Sequence, residues 1–132
     1  MDQLNIDLSK YRIERAFETI DDAVYAIADK RYTMAVNRLY YACFYAALAL
    51  LSLDGETAKT HQGVKQMIGK NYFLTNKIDR SYASIYSRLF NARISGDYDE
   101  FQEYDDDTIQ LYLQNAKDFV NKVAEYLKEQ QA

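Results

Sequence analysis

RYTMAVNRLYYACFYAALALLSL, Arg31 to Leu53, decides the fold. From Leu39 to Leu53 it has no charged side chain, and Ala, Leu and Tyr dominate. On a helical projection the apolar residues fill more than one face. Val36, Tyr40, Cys43, Ala47 and Leu50 share one side, and Leu39, Ala42, Ala46, Ala49 and Leu53 another. A helix that is apolar on most sides must be covered on most sides. Ala and Leu are strong helix formers, and neither Gly nor Pro interrupts the run. Its charge-free part is shorter than the roughly 20 residues that span a bilayer, and Asn37 and Arg38 suit lipid poorly. The stretch is therefore expected to be the buried central helix of a bundle rather than a membrane segment.

Around it the pattern predicts four long helices and a short fifth. The first is expected from Leu8 to Ala28, capped by Asp7 or Ser9, with the stripe Ile13, Ala16/Phe17, Ile20, Ala23/Val24 and Ile27. Asp29-Lys30 is a short connection, so this helix and the central one should run antiparallel. Asp54-Gly55-Glu56 ends the central helix. Thr57 or Thr60 then caps a short helix holding Val64, Met67 and Ile68. Asn71 to Lys77 reads as a loop with Phe73 and Leu74 turned inward. Asp79 caps the fourth helix, which Gly96 is expected to stop after Ser95. The last helix begins in Asp105-Asp106-Asp107, where negative charge favours a helix N-terminus. The 132 residues hold no Pro and only 4 Gly. That length suits one domain with a single core, and nothing reads as a linker or an internal repeat.

Composition narrows the function. The formal net charge is −4, which argues against coating nucleic acid by bulk electrostatics but leaves room for a local basic site. The N-terminus lacks the apolar core of a signal peptide, and the one cysteine, Cys43, reads as a small core hydrophobe, so a cytoplasmic location is expected. With one histidine and no cysteine cluster, no metal site and no cofactor are expected. Thirteen tyrosines and no tryptophan suit helix seams and protein interfaces.

The chemistry converges on the end of the fourth helix. Tyr82, Ile85, Tyr86, Leu89 and Phe90 form one apolar stripe, and Arg93 falls near its centre, while Arg80 and Arg88 face the polar side. A guanidinium in an apolar face needs a partner: a carboxylate such as Asp97 or Asp99, the C-terminal carbonyls of its own helix or water reached by snorkelling from the last turn, or a bound phosphate, for which its planar donors are suited. His61 stands at the start of the short helix, and Asn37 and Tyr41 lie on the central one as candidate ligand-binding residues.

Three segments together, NRLYYACFYAALALL (Asn37–Leu51), KTHQGV (Lys59–Val64) and RISGDYDEF (Arg93–Phe101), resemble the small stand-alone prokaryotic branch of the HEPN family. The resemblance runs from about Tyr11 to Leu127. It implies an all-α, up-down bundle of four long helices plus a short fifth, occupying residues 1–132. It further implies a homodimer in which the two fourth-helix ends share one cleft. Many members are metal-independent ribonucleases, toxins paired with a nucleotidyltransferase antitoxin, marked by an Arg followed four to six residues later by a His. Arg93 takes the arginine position; Ile94 to Glu100 holds no histidine, and Asp97-Tyr98 stands there instead. The expected function is thus a toxin-type ribonuclease with Arg93, Asp97 and Tyr98 as its catalytic set. The alternative is a non-catalytic module that binds RNA, a nucleotide or a nucleotidyltransferase. An Arg-Asp-Tyr set is better suited to holding phosphate and ribose than to fast proton transfer, because aspartate beside arginine is a weak base and tyrosine titrates far above neutrality.

Overall fold

A computed structural model describes residues 2–98 and 103–131, the side chains of residues 95–98 excepted. In order come α1 (Gln3–Ala28), α2 (Tyr32–Leu53), α3 (His61–Ile68), a π-wound turn (Gly69–Phe73), α4 (Ser81–Tyr98) and α5 (Asp106–Gln131), with no strand among the described residues. This is the expected all-α bundle of four long helices and a short one.

Central α2 behaves as its composition demands. By length and apolarity alone it could cross a membrane. In the fold, α1, α3, α4 and α5 all pack against it. Leu39, Tyr40, Ala42, Cys43, Ala46, Ala47, Ala49, Leu50 and Leu51 are all fully buried in one cluster with residues of the other helices. The α1–α2 seam is lined by small side chains, Ala16 and Ala23 facing an alanine-rich helix, which lets the two axes approach closely. Polar ties cross the same pair: Ser9 Oγ donates to the Ala49 carbonyl (2.8 Å), and Arg12 Nη1 donates to Ser52 Oγ (2.7 Å).

Both ends of the α1–α2 hairpin close in the same way. After α1, the Arg31 N–H reaches the Ala26 carbonyl (2.8 Å) and the Lys30 N–H that of Ile27 (2.9 Å). After α2, Glu56 and Gly55 repeat the pattern on Leu51 and Ser52. These are Schellman closures, which place one residue in the left-handed region. Gly55 takes φ 71° without a Cβ penalty, whereas Lys30 takes φ 56° with one.

Several local expectations are corrected. α1 starts at Gln3, not Leu8, because the Asp2 carboxylate caps it through the Leu4 and Asn5 N–H groups (2.8 and 3.4 Å). Ser9, one expected cap, is instead buried against α2. Phe17 and Val24 sit at the solvent edge of the α1 stripe, 40% and 41% exposed. Helical winding continues past α3 in the π turn, where the Leu74 N–H reaches back to Gly69 (2.9 Å). That wider turn brings Tyr72 and Phe73 inward but turns Leu74 out, 64% exposed. α4 runs through Gly96 to Tyr98, since glycine lowers helix propensity without forbidding a helical residue. The other caps are as expected: Thr60 Oγ1 accepts from Gly63 N–H (2.9 Å), Asp79 from Ser81 (2.8 Å) and Asp105 from Thr108 (2.7 Å).

Two leucines separate the core from its exterior. Leu50→Ala, at a fully buried position, should lower the unfolding free energy by about 3 kcal/mol in a denaturant titration. Leu74→Ala, at an exposed one, should change it by less than about 0.5 kcal/mol. A large loss at Leu74 would mean that this side chain does turn inward.

Candidate functional site

Where α2, α3 and α4 meet, the bundle gathers aromatic rings and cations. α2 supplies Asn37, Arg38, Tyr40, Tyr41 and Phe44, α3 supplies His61 and Lys65, and α4 supplies Tyr86, Phe90 and Arg93. The α2 members follow the helix repeat: positions 37, 38, 41, 44, 45 and 48 form one stripe, and all are half-buried. This is the side of α2 that its neighbours leave partly open.

Arg93 is half-buried, and its guanidinium carbon lies 5.5 Å from the centre of the Tyr40 ring and 5.7 Å from that of Tyr41. Tyr41 also carries the Arg38 guanidinium, at 5.1 Å. One tyrosine ring therefore serves two cations, an arrangement in which the negative π face offsets part of their mutual repulsion. Asn37 Oδ1 accepts from Arg38 Nε (3.2 Å) and Nη2 (2.8 Å), so this side chain orients Arg38. Lys65 adds a third cation, its ammonium 4.9 Å from the Phe90 ring centre.

His61 is anchored at one edge and one face. Its Nδ1 lies 2.7 Å from the Tyr40 hydroxyl, and its ring stacks on Phe44 at 4.4 Å with 27° between planes. It also meets the rings of Tyr40 (5.7 Å) and Tyr41 (5.6 Å), the two that receive Arg93. Desolvation, and then the positive charge of Arg93, hold the imidazole below its ordinary range, so it is neutral at physiological pH. Burial pushes the Tyr40 hydroxyl up to about 12, with Tyr86 and Arg93 pulling the other way. Tyr40 is accordingly a neutral hydrogen-bonding group and not a base.

Among the residues singled out by sequence, Arg93, His61, Tyr41 and Asn37 come together in this cluster. Asp97, Asp99 and Tyr98 lie outside the residues whose side chains are described. Sequence reasoning left Arg38, Phe44 and Lys65 without a role and read Tyr40 mainly as core. Tyr40 is indeed fully buried, yet its hydroxyl reaches the site. A signal for Arg38 was present, since it precedes Tyr41 by three positions on one helix face. Nothing in local spacing pairs Tyr40 with a histidine 21 residues away.

Removing the Arg93 charge should therefore raise the His61 pKa toward the ordinary value near 6.5 without reaching it, because desolvation is the larger cause. With a depressed folded-state pKa, the imidazole's contribution to stability is present above the unfolded pKa and is lost as pH falls through the folded one. As the chain has 1 histidine, an NMR pH titration of Arg93→Ala reads this shift without assignment ambiguity. An unchanged midpoint would place the Arg93 charge away from the ring.

Comparison with known proteins gives the cluster its context. A UPF0332 protein of Thermotoga maritima is 31% identical over 120 residues, covering 91% of this chain and 91% of that protein. Two proteins of Methanocaldococcus jannaschii are named as candidate toxins. One is 32% identical over 117 residues (89% of this chain, 87% of that protein), and the other 30% over 115 (87% and 78%). The HEPN domain model matches residues 9–129, which reaches from the first turns of α1 into the last turn of α5 and takes in every residue of the cluster. The chain belongs to the HEPN domain family.

Proposed function

We propose that this protein is a toxin-type, metal-independent ribonuclease that works as a homodimer, with Arg93 as the phosphate-binding group of each cleft. The observation that carries the reading is the placement of Arg93, a guanidinium laid against Tyr40 and Tyr41 beside a neutral histidine. Membership of the HEPN family and relatives named as candidate toxins support it. In RNA the 2′-oxygen can attack the adjacent phosphorus as the P–O5′ bond breaks, the 2′-hydroxyl losing its proton and the departing 5′-oxygen gaining one, which leaves a 2′,3′-cyclic phosphate and a 5′-hydroxyl. Negative charge builds on the non-bridging oxygens on the way. A fixed guanidinium offsets that charge without a metal ion. Asp97 and Tyr98 follow Arg93 on α4 and are assigned to support it on the ribose and phosphate.

A second reading keeps the same site and drops the cleavage: a module that binds RNA or a nucleotide and partners a nucleotidyltransferase. One observation favours it, the absence of histidine from Ile94 to Glu100. A neutral imidazole also holds few protons to give a leaving group at physiological pH.

In EDTA, purified protein should cleave single-stranded RNA, and Arg93→Ala should lose at least about 100-fold of that activity, the scale seen when one charge-stabilising donor is removed. Equal far-ultraviolet circular dichroism spectra would show that the variant folds. Full activity in the variant would remove Arg93 from the mechanism; no cleavage by either protein would select the binding module. Light scattering at micromolar concentration should give twice the 15.4 kDa chain mass, and a monomer would exclude a cleft shared between subunits.

A further inference from the structure

Tyr86 packs edge to face against Tyr40, their ring centres 6.1 Å apart. Its hydroxyl is buried, makes no hydrogen bond of standard geometry among the described residues, and has the Tyr40 hydroxyl as its polar neighbour. A buried O–H that donates to nothing is costly, so the Tyr86 proton is directed at the Tyr40 oxygen. Tyr40 then has its own proton left to give, and its other partner is His61 Nδ1 at 2.7 Å. The opposite orientation, with His61 Nδ1–H donating to Tyr40 and Tyr40 to Tyr86, would strand the buried Tyr86 proton. The chain of donors thus runs Tyr86 to Tyr40 to His61. An Nδ1 that accepts must be unprotonated, which puts the proton of the neutral ring on Nε2. Stacking on Phe44 fixes the ring plane, and the ring's described hydrogen bond is the one through Nδ1.

From this geometry we infer that His61 Nε2–H is a second phosphate-oxygen donor of the Arg93 site, with Tyr40 as the positioning residue that sets its tautomer. The inference rests on reading the cluster as a phosphate site and adds the group that shares the anion with Arg93. Both groups lie against the same two rings, with ring-to-ring and cation-to-ring distances between 5.5 and 5.7 Å. Arg38 and Lys65 surround them with further positive charge. A neutral N–H donor suits this setting: it binds a phosphate oxygen without adding a fourth positive charge to three already present.

The lone imidazole is its own probe. Ring nitrogen chemical shifts of ¹⁵N-histidine-labelled protein at pH 7.5 should report the Nε2–H tautomer. Tyr40→Phe, which removes only the hydroxyl, should shift them toward a tautomer mixture while leaving the helical circular dichroism intact. Titrating inorganic phosphate at constant ionic strength should move the His61 signals saturably in the wild type, and at least 10-fold more weakly in Arg93→Ala. A dominant Nδ1–H tautomer, an unmoved spectrum in folded Tyr40→Phe, or no response to phosphate would each overturn the proposal, whether or not RNA is cut. Saturable phosphate binding with the Nε2–H signature would uphold it even where no RNA is cleaved, so the donor assignment and the ribonuclease reading fail separately.

Discussion

Along most of its length α2 has no face that water would favour, and the remaining helices are placed where they cover it. Burying its Leu, Val and Tyr side chains is the largest favourable contribution available to a chain of this size, on the order of 1.5–3 kcal/mol for each large residue. α1 packs along it at close range, α4 and α5 meet it at Val36 through Ala92 and Ile109, and α3 with its π turn adds Val64, Ile68, Tyr72 and Phe73 to the core. Tyr72 serves both needs there, its ring in the core and its hydroxyl at the Asp54 carboxylate and the Leu50 carbonyl where α2 stops. The stripe from Asn37 to Leu48 is the side this arrangement leaves half-covered, and it carries the candidate site.

Net charge and local charge point in opposite directions in this molecule. Acidic residues outnumber basic ones 20 to 16 across the chain, yet Arg38, Lys65 and Arg93 converge on one group of rings. Aromatic faces make that convergence tolerable in the free protein, because each cation lies against a ring quadrupole. An anion arriving there would find positive groups already oriented, and little of its binding energy would go to ordering them. The acidic remainder works against non-specific attachment to polyanions.

The long periodic elements were legible before the structure because burial imposes a period on sequence. Leu39 to Leu53 announced a covered helix, and Thr60, Asp79 and Asp105 announced helix starts through the chemistry of capping. Arg93 stood out for the same reason, a charge interrupting an apolar period. Elsewhere local rules competed. Asp7 and Ser9 looked like caps, but the turn before them was also helical and Asp2 satisfied its N–H groups. Leu74 looked like core, but a π-wound turn rotated it outward, and no apolar pattern encodes one extra residue in a turn. Gly96 looked like a stop, yet α4 passes through it. The pairing of Tyr40 with His61 depends on the packing of α3 over α2, which periodicity within either helix does not specify.

The half-covered stripe has one more implication, for motion. Many binding sites sit on loops that open independently of the body that carries them. Here Asn37, Arg38, Tyr41 and Phe44 belong to the same helix as Leu39 and Cys43, one or two positions away, so they share a backbone with the centre of the core. Their side chains can change rotamer, but their backbone positions cannot shift without disturbing α2 and the core it carries. Binding and folding are therefore linked: a ligand held there would raise the stability of the whole chain by mass action, and a core substitution in α2 would lower the binding-competent fraction once it populates the unfolded chain.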